Sequence, residues 1–149
     1  AAAQLAASWR ALGIDAAATG DLHAALAGAD IVSCATASST PLVSGRHMKA
    51  GSHLDLIGSF TPQMREADDE ALRGAAVYVD TGEAAQKSGD LLDAFASGAL
   101  RPADLRGTLE QLARGQVTGR RADDERTVFK SVGSALEDLA AAMLVLETS

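Results

Sequence analysis

The side chains with chemistry to offer in these 149 residues are one thiol, three imidazoles, a short run of carboxylates and scattered hydroxyls. Cys34 stands alone, and His23, His47 and His53 fall on three separate segments, so no Cys/His spacing suits a zinc ion. Each imidazole is expected on the surface or along a strand, and the thiol, inside an apolar stretch, as a small buried residue. Glu66, Asp68, Asp69 and Glu70 have the look of paired acids. They stand at the start of a predicted helix, however, where the dipole favours negative charge, so a solvated face is the expectation. Asp80, closing an apolar run, has two readings, contact with a ribose or a cap for the next turn, and capping is the expectation. A Ser-His-Asp triad has no G-x-S-x-G elbow to support it. No two glycines sit two apart, so the sequence carries no glycine loop that cradles a pyrophosphate.

What must position these groups is legible in the apolar pattern. Residues 1–12 are alanine-rich, place Leu5, Trp9 and Leu12 on one helical face, and stop at Gly13. Residues 14–19 read as a short strand, and Asp21 as the cap of a helix that breaks at Gly28. Residues 29–36, 52–58 and 75–80 are mostly apolar runs of the length and type of strands buried in a parallel sheet, with a helix expected over 65–73. Beyond Asp80 helices are expected at 83–88, 90–96 and 108–114, then a polar stretch, then 127–131 and a long apolar helix from Val132 to about Glu147. Strand, helix and strand in alternation imply parallel strands joined by right-handed crossovers: an α/β, doubly wound sheet, with its ligand at the carboxyl ends of the strands. Those ends are residues 36–39, 58–61 and 80–82.

Composition narrows the partners. Hydrophobic residues make up 47% and charged ones 22%, enough for a sizeable core, and aromatics only 3%, which suits helices packed closely on a sheet. The net charge of -7 and the scattering of 13 Lys and Arg argue against nucleic acid. No apolar stretch approaches the roughly 20 residues needed to span a bilayer, so no membrane partner is expected. A single cysteine permits no internal disulfide, and the cytoplasm is the expected compartment.

Four segments, in this order, resemble the NAD(P)-binding domain of the ornithine cyclodeaminase and mu-crystallin family. They are Ala29-Asp30-Ile31-Val32 through Thr36 to Pro41, Lys49-Ala50-Gly51-Ser52-His53 through Gly58, Arg65-Glu66 followed by Tyr78-Val79-Asp80, and Thr127-Val128-Phe129-Lys130-Ser131-Val132-Gly133 with Glu137-Asp138. With Ser88-Gly89-Asp90 they extend over nearly the whole chain. The resemblance implies a Rossmann-like fold that is incomplete here. The first strands, the glycine loop and a substrate and dimerisation domain would precede Ala1, and with them the catalytic residues. Residues 1–126 then form a partial cofactor domain, and residues 127–149 a segment and helix that pack back on the cofactor site or the substrate domain.

The resemblance also implies roles. NAD(P)H is the cofactor, a small imino or amino acid the substrate, and a homodimer the assembly. Thr36, Ala37 and Ser38 are expected on the adenosine side of the cofactor, Ile57 and Gly58 near the nicotinamide, and Ser131 at its carboxamide. Ser59, Phe60 and Lys87 are expected near the substrate; no metal is expected. Where the family's cyclodeaminases carry an acid and then a lysine, this sequence has Phe60 and Met64. Phenylalanine cannot manage the proton transfers of a deamination. The wording from Asp55 to Pro62 instead resembles members that reduce pyrroline-2-carboxylate or piperideine-2-carboxylate. Ornithine cyclodeamination, and nucleotide-dependent ligand binding of the mu-crystallin kind, are the alternatives.

Overall fold

The computed structural model describes residues 1–148. Seven α-helices and five strands follow one another along them: α1 (Ala2–Ala11), α2 (Leu22–Gly28), β1 (Ile31–Cys34), β2 (His53–Leu56), α3 (Asp69–Leu72), β3 (Ala76–Val79), α4 (Ala84–Lys87), α5 (Gly89–Ser97), β4 (Gly107–Thr108), α6 (Leu109–Ala113), β5 (Thr127–Lys130) and α7 (Ala135–Thr148). All strands are parallel, in the order β1-β2-β5-β3-β4. This is the expected α/β architecture. Helix ends follow local chemistry: Asp21 caps α2 by accepting from Ala24 N at 3.0 Å, and Gly13, after α1, takes the left-handed φ of 81°.

Register divides the sheet into two faces. Val32 and Cys34, Leu54 and Leu56, Val128 and Lys130, and Val77 and Val79 align across the strands on one face. Against it pack Leu26 of α2, Ala71 and Leu72 of α3, and Leu91 and Ala94 of α5, forming the core. The other face presents Ile31, Ser33, Asp55 and Phe129 and is partly open, with Tyr78 covered where its hydroxyl donates to Thr118 O at 2.7 Å.

Four expectations are corrected. Residues 14–19 are irregular: β1 is the edge of the sheet and pairs only with β2, so no described strand offers them a ladder. For the same reason β1 is exposed at Ile31 and Ser33, where burial on both faces was expected. Third, residues 127–130 are no mere prelude to the last helix. They form β5, the central strand, inserted between β2 and β3. Fourth, the helix expected over residues 65–73 shrinks to α3, because residues 65–67 run extended beside residues 42–43: Glu66 O accepts from Leu42 N and Val43 N at 2.8 and 2.9 Å.

The Leu5, Trp9 and Leu12 face of α1 is exposed, as is α7 along its whole length. No helix among the described residues is long and apolar enough to cross a membrane.

Candidate functional site

Because the strands are parallel, their carboxyl ends open on one side of the sheet, and the loops leaving β1, β2, β3 and β5 meet there. Two buried carboxylates organise that edge. Glu66, with no solvent exposure, accepts at Oε1 from Thr36 N (2.6 Å) and Thr36 Oγ1 (2.9 Å), and at Oε2 from Gly58 N (2.8 Å) and Ser59 N (3.3 Å). It therefore ties the loop after β1 to the loop after β2. Asp80 does the same for β3 and β5, accepting from Thr81 N at Oδ1 and from Ser131 Oγ, Val132 N and Gly133 N at Oδ2, all within 2.9 Å. Asp80 is thus a cap, as expected. Glu66 reverses the expectation of a solvated acid, because its neighbours supply four hydrogen bonds to its carboxylate, which offset the cost of burying the charge.

Behind these loops lies a polar core that sequence reading missed. Asp90, at the start of α5, accepts from Glu66 N (2.8 Å) and Ala67 N (3.0 Å) through Oδ1. Lys130, at the end of β5, donates to Leu56 O at 3.1 Å and stands 3.6 Å from Asp90 Oδ2; both side chains are wholly buried. Burial lowers the affinity of the Lys130 amine for its proton, against the pull of Asp90, Glu66 and Asp80. The signal for Lys130 was its period: in a strand, positions 128 and 130 face the same way, and the first is a core valine.

The expected site residues divide. Thr36, Gly58 and Ser131 are brought to the shared edge, and each is engaged by one of its two carboxylates. Ala37 is exposed, and Ser38 is half-buried with its hydroxyl donating to Thr40 O at 2.6 Å. Ile57 and Phe60 project apolar surface from the loop after β2. Gly58 is required there: a Cβ would lie 1.9 Å from Thr36 O and 2.4 Å from Glu66 Oε1. Ser59, expected against the substrate, is instead fully buried, its hydroxyl donating to Met64 O (2.6 Å) and meeting Ser88 Oγ (3.2 Å), so it anchors the loop from within. Lys87 lies on α4, paired in solvent with Glu83 at 2.5 Å one helical turn away.

Beside β3 and β4, a cleft of about 520 Å³ is lined by residues that include Asp80, Thr81, Thr108, Ser134 and Leu136. Among the described residues, no three His, Cys, Asp or Glu side chains are grouped to hold a metal ion.

Comparison with known proteins agrees with this architecture. The model of the ornithine cyclodeaminase/mu-crystallin family matches residues 1–149. The Arabidopsis thaliana protein SAR DEFICIENT 4 is 47% identical over 119 residues, 80% of this chain and 37% of that protein. The Delta(1)-pyrroline-2-carboxylate reductase of Paracoccus denitrificans is 42% identical over 132 residues, 88% of this chain and 42% of the relative. Among solved structures, the Thermococcus litoralis Delta(1)-pyrroline-2-carboxylate reductase in complex with NADH and L-proline superposes with a TM-score of 0.91 at 30% identity, covering 97% of this chain and 45% of that one. The chain thus spans less than half the length of each of these proteins.

Proposed function

Because the chain belongs to the ornithine cyclodeaminase/mu-crystallin family, we propose that it forms the later part of an NAD(P)H-binding domain whose enzyme reduces a cyclic imino acid, pyrroline-2-carboxylate or piperideine-2-carboxylate, to the amino acid. The observation that carries this reading is the loop after β2. Ile57 and Phe60 are 40% and 52% exposed there, and residues 57–64 contain no carboxylate. An apolar wall suits a planar ring. The NADH and proline of the Thermococcus structure, and the reductase from Paracoccus, support the cofactor and the ring size.

When bound, the reduced nicotinamide supplies the hydride that adds to the C=N carbon. The residues of this chain hold and shield. In this reading Thr36, Ala37 and Ser38 line the adenosine side, Ile57 and Gly58 face the nicotinamide, and Ser131 offers its hydroxyl oxygen to the carboxamide. Phe60 excludes water from one side of the imine. The imine nitrogen must gain a proton for each hydride transferred, and with no acid in residues 57–64 this loop positions the ring and does not protonate it.

In this proposal Ser59 serves the site as the buried anchor of the loop after β2, and Lys87 approaches the substrate from the exposed face of α4. A homodimer is part of the proposal, to be read by light scattering. The deciding experiment gives the intact protein NADPH or NADH with each imino acid and follows the nicotinamide absorbance. Oxidation with either imine is expected. Ammonia release from ornithine without imine reduction would instead mark a cyclodeaminase, and tight cofactor binding with no turnover a binding protein.

A further inference from the structure

Resting on that reading, we propose that Glu66 is the positioning residue of the cofactor edge: one buried carboxylate fixes the loops after β1 and β2 against each other, and so the places of Thr36 and Ile57 on the edge along which the dinucleotide would lie. Among the described residues, the amides of Thr36, Gly58 and Ser59 have no acceptor other than this carboxylate. Its two oxygens are divided, one to each loop, so the carboxylate bridges them and is not spent on either alone. The glycine requirement at residue 58 has the same origin, since the backbones of the two loops approach too closely there for any Cβ.

The bridge is itself braced. Asp90 fixes the Glu66 backbone through Glu66 N, and Lys130 holds Leu56 O, the last carbonyl of β2, from the other side. Residues 56–59 are therefore pinned from two directions, while the side chains on either side of Gly58 and Ser59, those of Ile57 and Phe60, remain free to meet a ligand. Glutamate is needed for its two acceptor oxygens. A glutamine at this position has one acceptor and an NH2 group, and whichever way it turns, the NH2 confronts the N–H donors of one loop. That loop is released.

The test is Glu66→Gln in the intact protein, with Glu70→Gln as control, since Glu70 makes only a surface pair with Arg73. NAD(P)H affinity is read by fluorescence titration and turnover at saturating cofactor. For folded Glu66→Gln a Kd at least tenfold weaker is expected, with kcat lowered and the imine KM changed less than either; Glu70→Gln should match the wild type. A residue that merely stabilised the fold would reduce the folded fraction and leave the Kd of the surviving protein unchanged, and a Kd within twofold of wild type overturns the proposal. Should Glu66→Gln fail to fold, amide hydrogen exchange of the unsubstituted protein decides. Slow exchange at Thr36, Gly58 and Ser59 upholds the bridge, and exchange as fast as at Ala37 overturns it. A wild-type protein with no NAD(P)H affinity overturns the functional reading itself, which leaves nothing for Glu66→Gln to weaken.

Discussion

The ammonium of Lys130 stands 3.6 Å from Oδ2 of Asp90 in the middle of the protein, and neither side chain touches solvent. That oxygen has no hydrogen bond among the described residues, while Oδ1 is spent on two backbone amides. With Glu66 and Asp80 also buried and acting on the amine, three carboxylates face one ammonium among the described residues, so the lysine balances charge as well as capping Leu56 O. Lys130→Met should therefore destabilise the intact protein by about 3–5 kcal/mol, the usual result of orphaning one member of a buried ion pair. Urea unfolding measures it, and wild-type stability in the variant would refute the charge-balance role.

Gly58→Ala should cost about 3 kcal/mol or more, because its methyl would meet the backbone of Thr36, which cannot swing aside. Gly20→Ala, where a Cβ meets nothing within 4 Å, is the matched control and should be near neutral. Equal melting temperatures for the two variants would contradict the close approach of the loops.

Burial pushes the Cys34 thiol up from 9.0 to about 11, helped by the charges of Glu66, Asp90 and Asp55 and opposed by Lys130. An acid whose pKa rises on folding adds stability that is complete below its unfolded pKa. That contribution fades as pH climbs from 9.0 to about 11. The folded protein should resist a thiol reagent at mildly alkaline pH and react once unfolded by urea. Prompt labelling of the native state would show the thiol to be accessible.

His53, half-buried with Nδ1 2.8 Å from Thr127 Oγ1, has its pKa lowered below 6.5 by burial and by Arg120, against Asp55. For a base the sign is opposite to that of the thiol. The stability it contributes is present above 6.5 and declines as pH falls through the lowered value. His53→Gln should flatten the loss of melting temperature between neutral and mildly acidic buffer; an unchanged slope would assign that loss to other groups.

On the proposed function, Phe60→Ala should raise the KM for the cyclic imine about tenfold, equivalent to about 1.4 kcal/mol of lost apolar contact. Cofactor affinity should stay the same. Steady-state kinetics at saturating NAD(P)H test it, and an unchanged KM would remove Phe60 from the substrate wall.

How much of this could be read before folding follows from the range of the interactions. The strand and helix alternation, the cap at Asp21, the turn at Gly13 and the burial of Cys34 all depend on neighbours within a few positions, so composition and period sufficed. Lys130 was missed because residues 127–130 were not read as a strand; once they are, Lys130 shares a face with the core residue Val128. The place of β5 between β2 and β3 was not legible, because strand order is decided by where crossovers land and leaves no local period. Residues 14–19 have strand-like composition, yet a strand exists only with a partner, and among the described residues none pairs with them. Glu66 is the sharpest case. Within its run it resembles Asp68, Asp69 and Glu70, and only the arrival of Thr36, 30 residues before it, and of Gly58, 8 before it, provides the donors that make burying its charge tolerable.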